Sequence, residues 1–82
     1  MPYIEGWKRL HMDKVIKMMI QVDMKVDGDL NYVLYKFCKD HIRPSYNNYK
    51  NYIGELEECV AEIRRRILAP YEDQKRFENG EV

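Results

Sequence analysis

Residues 46–69 read YNNYKNYIGELEECVAEIRRRILA, and this stretch decides the fold. Its apolar residues Tyr49, Ile53, Leu56, Val60, Ile63 and Ile67 recur at steps of three and four, the period of one helix face. Ser45 is a good N-cap and Pro44 disfavours helix at Arg43, so a helix is expected from about Tyr46. Pro70 is expected to stop or kink it after Ala69, because proline lacks an N–H and crowds the carbonyl four residues back. A helix over residues 46–69 would reach roughly 36 Å at 1.5 Å per residue. That is long for a chain of 82 residues, and it points to a packing partner in another subunit. Gly54 costs up to about 1 kcal/mol relative to alanine inside a helix. Its presence suggests close approach of another helix or a ligand.

Working outward, Asp27-Gly28-Asp29 separates two further helical patterns. Upstream, Leu10, Val15, Met18, Met19, Val22 and Val26 approximate helical periodicity, so a helix is expected over about 7–26. Met12, Met18, Met19 and Met24 give it a soft surface suited to core filling or to a subunit contact. Gly28 is expected to take a left-handed conformation and Asp29 to cap the next helix, over about 30–42. There Leu30, Val33, Leu34, Phe37, Cys38 and His41 form an apolar stripe, while Tyr32 and Lys36 share another face at i and i+4. Beyond Pro70, the acids of Tyr71-Glu72-Asp73 suit a new first turn, and a short helix is expected over about 71–78. Asn79-Gly80 is a stop signal, and Met1–Gly6 reads as an extended lead-in. The expected class is all-α: three main helices plus a short C-terminal one, an antiparallel helical bundle of a single domain spanning 1–82, assembled as an oligomer.

Size supports the oligomer. A domain this small buries only roughly 60 % of the surface of its unfolded chain, and small scaffolds usually need a disulfide, a metal or a partner subunit. Cys38 and Cys59 lie in amphipathic stretches with no leader sequence before them, and they read as reduced core thiols. No cysteine–histidine cluster suggests zinc, and His11 and His41 stand alone. No apolar run approaches the roughly 20 residues of a membrane span. The expected location is cytoplasmic.

Fourteen basic residues balance fourteen acidic ones, which argues against a general DNA or RNA binder. No nucleophile elbow, P-loop, zincin helix or dinucleotide-binding glycine pattern occurs, so no enzyme activity is expected, and no cofactor or metal. A vocabulary of binding remains. Arg64-Arg65-Arg66 lies on one helical turn, and guanidinium groups offer bidentate bonds to phosphate and stack on bases. The stretch from Tyr46 to Tyr52 interleaves aromatics, amides and a lysine, the groups that stack on bases and read their edges. The plainer readings are a solvated arginine face paired to Glu62, and a helix start with half-covered tyrosines.

Three segments carry a resemblance. They are Met1-Pro2-Tyr3-Ile4, Gly28-Asp29-Leu30-Asn31-Tyr32-Val33, and the C-terminal Arg65-Arg66-Ile67-Leu68-Ala69-Pro70-Tyr71-Glu72-Asp73-Gln74-Lys75 with its closing Glu78-Asn79-Gly80-Glu81-Val82. Together they resemble a family of small helical proteins of phages and prokaryotes. The similarity spans nearly the whole chain and is most specific at its C-terminal block. Arg64 departs from the family pattern, where an aromatic is expected, and the loop around Pro44 varies. The family resembled is that of the phage anti-CBASS sponges, which sequester cyclic dinucleotide signals. The resemblance implies a homotetramer in the host cytoplasm binding 3′,3′-cyclic GMP–AMP without cleaving it. Arg65 and Arg66 are then expected on phosphate, Tyr71 and Tyr49 on the bases, and Asn31, Asn47 and Lys75 as secondary contacts. A competing expectation is a protein-interaction module that inhibits a host enzyme or aids assembly, using the methionine-rich first helix.

Overall fold

The computed structural model describes residues 4–80, which are mostly helical with no strand among them. The elements are α1 (Gly6–Gln21), α2 (Gly28–His41), α3 (Tyr46–Ile63), a π-helical turn (Arg64–Leu68) and α4 (Ala69–Glu78). The all-α class read from periodicity therefore holds. Two units are distinguished, Pro2–Arg43 with α1 and α2, and Pro44–Val82 with the rest. The expected lead-in falls partly on residues 1–3, which lie outside the described residues, as does the end of the C-terminal block, residues 81–82.

In the first unit, α1 ends at Gln21 and not at Val26. The cause is local. Asp23 has a φ of 53°. Its N–H donates to the Ile20 carbonyl at 3.0 Å and the Met24 N–H donates to the Met19 carbonyl at 3.1 Å. This is the Schellman arrangement, with an aspartate in the left-handed position that glycine usually takes. Gly28 is not left-handed but opens α2. The cap is Asp27, whose carboxylate accepts from the Asp29 N–H at 3.1 Å, and not Asp29. Asp29 turns back instead and accepts from the Lys25 N–H, also at 3.1 Å. A chain with three aspartates between residues 23 and 29 has several choices of cap, and spacing alone does not select among them.

The second unit begins as expected: the Ser45 Oγ accepts from the Asn48 N–H at 3.0 Å. Pro70 does not stop the helix. α3, the π turn and α4 run without interruption from Tyr46 to Glu78. In a regular α-helix the Pro70 ring would press on the Arg66 carbonyl and leave it without a donor. Here the Ala69 N–H reaches back five residues to the Arg64 carbonyl. The widened turn lies immediately before the ring and relieves that clash. Pro70 then occupies the first turn of α4, where a missing N–H is tolerated. We expect Pro70→Ala to let this turn tighten to α geometry and to raise the thermal midpoint by about 4 °C or more, taking about 1 kcal/mol for the relieved proline in a domain of this size. A melt followed by circular dichroism at fixed protein concentration checks it. Asn79 and Gly80, the latter with a φ of 74°, end the run as the sequence suggested.

No described residue is buried in either unit. The expected core positions are covered at most in part. Met19, Leu30, Leu34, Cys38 and Leu56 are half-covered, whereas Leu10, Val15, Val33, Val60 and Ile63 remain exposed. Cys38 and Cys59 are free thiols, and Cys59 is exposed, contrary to its reading as a core thiol. Most helical stability in proteins comes from packing an amphipathic face.

Candidate functional site

The strongest constellation lies where α3 passes into the π turn. Positions three and four residues apart share a helix face, and Glu62 uses both. Its carboxylate accepts from the Arg65 Nη2 and, at 3.3 Å, from the Arg66 Nη1. Both pairings follow helical spacing, Arg65 at i+3 and Arg66 at i+4 from Glu62. The Glu62 side chain is only 16 % exposed, while those of Arg65 and Arg66 are 65 % and 58 % exposed. One carboxylate thus gathers two cations whose charge it only half offsets. Desolvation pushes the Glu62 carboxyl upward, but the hydrogen bond from Arg66 and the charge and hydrogen bond of Arg65 outweigh it, and the group sits below the usual carboxylate range.

The sign of the resulting pH effect follows. A carboxyl with a lower value folded than unfolded holds fewer protons in the folded state. It favours folding above its ordinary value of 4.5, and that contribution disappears as pH falls through the depressed one. We expect urea midpoints to fall as pH drops below 4.5, and Glu62→Gln to flatten that acid limb.

Beyond the π turn, the Lys75 Nζ lies 5.6 Å from the centroid of the Tyr71 ring and 3.2 Å from the Glu78 carboxylate. Tyr71 is exposed. Arg66 and Lys75 are separated by roughly 13 Å along the axis at 1.5 Å per residue, so Arg65, Arg66, Tyr71 and Lys75 belong to one neighbourhood of the helix. Asn47 and Tyr49 do not. They sit on the first turn of α3, and Tyr49 is roughly 24 Å from Arg65 along the same axis. Asn31 is exposed on α2, in the other unit. Within one chain the expected contacts thus form two separate pairs, Arg65 and Arg66 meeting at Glu62 and Lys75 meeting Tyr71.

The sequence reading noted the i, i+4 placement of Tyr32 and Lys36 but not that it recurs twice more. Tyr32–Lys36, Tyr46–Lys50 and Tyr71–Lys75 are three tyrosine–lysine pairs at i and i+4, with the ammonium 5.7, 5.9 and 5.6 Å from the ring centroid. A cation at that distance is attracted to the ring face. In the first pair Tyr32, by hydrogen bond and charge, and Asp40 hold the Lys36 ammonium above its usual value against desolvation. That pair, with Tyr35 and Lys39, lines a shallow depression of about 250 Å³ on α2. A larger apolar groove of about 400 Å³ follows the end of α1, lined among others by Ile16, Met19, Ile20, Met24, Val26 and Leu30. Neither depression involves the arginines.

Among the described residues no cluster of histidine, cysteine, aspartate or glutamate is arranged to hold a metal ion. No described helix is long and apolar enough to cross a membrane. Fold and site together define a small all-α protein with open apolar faces and a cationic, tyrosine-flanked helix turn. Residues 1–82 match the model of the family described as a domain of unknown function, DUF6899, and the chain belongs to that family. Comparisons with curated proteins and with solved structures returned no match.

Proposed function

We propose that this protein binds a cyclic dinucleotide, such as 3′,3′-cyclic GMP–AMP, and holds it without cleaving it. The Glu62-centred pair Arg65–Arg66 carries this reading. Two exposed guanidinium groups held on one helix turn suit the singly charged phosphates of such a ligand. Tyr71, with Lys75 beside its ring, supplies a stacking face close by. Tyr49, Asn47 and Asn31 complete the set only if other elements or other copies contribute, which fits a homo-oligomer; the resemblance of the C-terminal block implies a tetramer. Sequestration needs affinity and no turnover, so the protein is not an enzyme in this reading. It acts in the cytoplasm of an infected bacterium as a phage immune-evasion protein, withholding the signal of CBASS defence, with no membrane, DNA or RNA partner.

Calorimetry with a panel of cyclic dinucleotides tests this. Saturable heat, with the ligand recovered intact after long incubation, is expected. No heat and no thermal shift with any of them would remove the reading.

A second reading has its own support. Trp7, Leu10, Val15 and Met18 on α1 are all exposed, and the apolar groove at the end of that helix lies beside them in sequence. Such a surface suits a protein-interaction module that inhibits a host enzyme or aids assembly. Copurification with one host protein, together with indifference to nucleotides, would favour it.

A further inference from the structure

Glu62 differs from the other acids that meet a cation in this chain. Asp23, Asp40, Asp73 and Glu78 each face a single lysine or arginine and are exposed. Glu62 is largely covered and faces two arginines, whose own side chains stay largely exposed. Its carboxyl lies below the usual carboxylate range, so it carries a full charge at neutral pH. Two positive charges and one negative leave this group of three with a single net positive charge. Each guanidinium has five N–H donors, so Arg65 and Arg66 can hold a phosphate on their open side while they keep Glu62.

That net charge discriminates between kinds of phosphate. Attraction to the site grows in proportion to the charge of the ligand group, whereas the cost of taking an ion out of water grows as the square of its charge. A phosphodiester carries one negative charge. A terminal phosphate, a monoester, carries about −1.5 to −2 at pH 7. Against a singly positive site the dianion roughly doubles the attraction but loses about four times the hydration. Without the charge on Glu62 the two arginines would present two positive charges, and the balance would move toward the dianion.

We propose that Glu62, acting through Arg65 and Arg66, is a specificity-determining residue that sets this site to phosphodiesters and against terminal phosphate groups. The inference rests on the cyclic-dinucleotide reading above. A ring-closed dinucleotide has only diester phosphates and is held. The same dinucleotide opened to a linear form gains a terminal phosphate and is held less well. Glu62 does this by its charge, which distinguishes it from a residue that merely steadies the turn.

Titration calorimetry at pH 7.5 compares 3′,3′-cyclic GMP–AMP with linear 5′-pApG on the full chain, unsubstituted and as Glu62→Gln and Glu62→Asp. The linear form is more flexible and loses affinity on every protein, so the quantity read is the change in the cyclic-to-linear affinity ratio from one protein to the next. We expect Glu62→Gln to shrink that ratio by about tenfold or more, and Glu62→Asp, which keeps the charge, to retain it within about threefold even where both affinities fall. A second measurement needs no variant: methylating the terminal phosphate of 5′-pApG removes one charge from the ligand and should raise its affinity for the unsubstituted protein by about tenfold. Equal losses of both ligands in Glu62→Gln, or no gain on methylation, would overturn the proposal and leave the ligand reading standing. A ratio that shrinks as far in Glu62→Asp would overturn it too, because length and not charge would then decide. If the unsubstituted protein takes up neither nucleotide, the ligand reading falls and this inference with it.

Discussion

Arg65→Ala combined with Arg66→Ala lowers affinity for 3′,3′-cyclic GMP–AMP by at least a hundredfold if these two side chains hold the ligand's phosphates. A hydrogen bond to a charged group contributes about 1.5–3 kcal/mol, and 1.4 kcal/mol is a factor of ten in affinity. Losing two such contacts reaches about 3–6 kcal/mol before any compensation. The loss falls on the dissociation rate more than on association, because close charged contacts hold the complex once formed. The fold is little affected, since both arginines are largely exposed and ion pairs at such positions contribute little to stability. Arg64→Tyr is the matching control. The resembled pattern expects an aromatic at that position, so affinity should change by no more than a few-fold. Titration calorimetry on the three proteins at one salt concentration decides the point. Equal losses from both variants would mean a diffuse cationic surface, with no defined phosphate contact.

Ile63→Asp removes assembly and most of the helix content with it. If copies of the chain meet along the exposed apolar stripe of α3, this substitution puts a carboxylate from each chain into that contact. Burying an unpaired charge is among the most destabilising changes a protein can undergo. An obligate assembly without a folded monomer loses folding and association together. We expect the dissociation constant of the pair to rise by a hundredfold or more and the far-ultraviolet helical signal to fall at micromolar concentration. Val15→Asp on α1, an exposed apolar residue outside the α3 stripe, should leave assembly intact. If Ile63→Asp remained paired and helical while Val15→Asp dissociated, the methionine-rich helix would be the contact surface instead.

Much of this protein is written in its periodicity. Three- and four-residue spacing is enough to place α2 and α3, because an apolar face has to repeat with the helix. Ser45 and Gly80 are legible because each satisfies one geometric demand, a cap acceptor and a left-handed φ. Pro70 misleads for an instructive reason. Proline excludes the α-helical hydrogen bond, but a π turn offers another, from Ala69 to Arg64, and no letter in the sequence announces it. Asp23 ends α1 early because an aspartate takes the glycine's position, a substitution that its short polar side chain permits. At the site, the pairing of Glu62 with Arg66 follows from i,i+4 geometry. The grouping of Tyr49 and Asn47 with Arg65 and Arg66 cannot be read along one helix, because roughly 24 Å separates them there.

Native mass spectrometry during titration with 3′,3′-cyclic GMP–AMP tests the central claim most directly, because it weighs chains and ligands together. The proposed oligomeric binder predicts species of more than one chain that take up intact ligand to saturation. A single chain that stays single and carries no nucleotide at any ratio would contradict it.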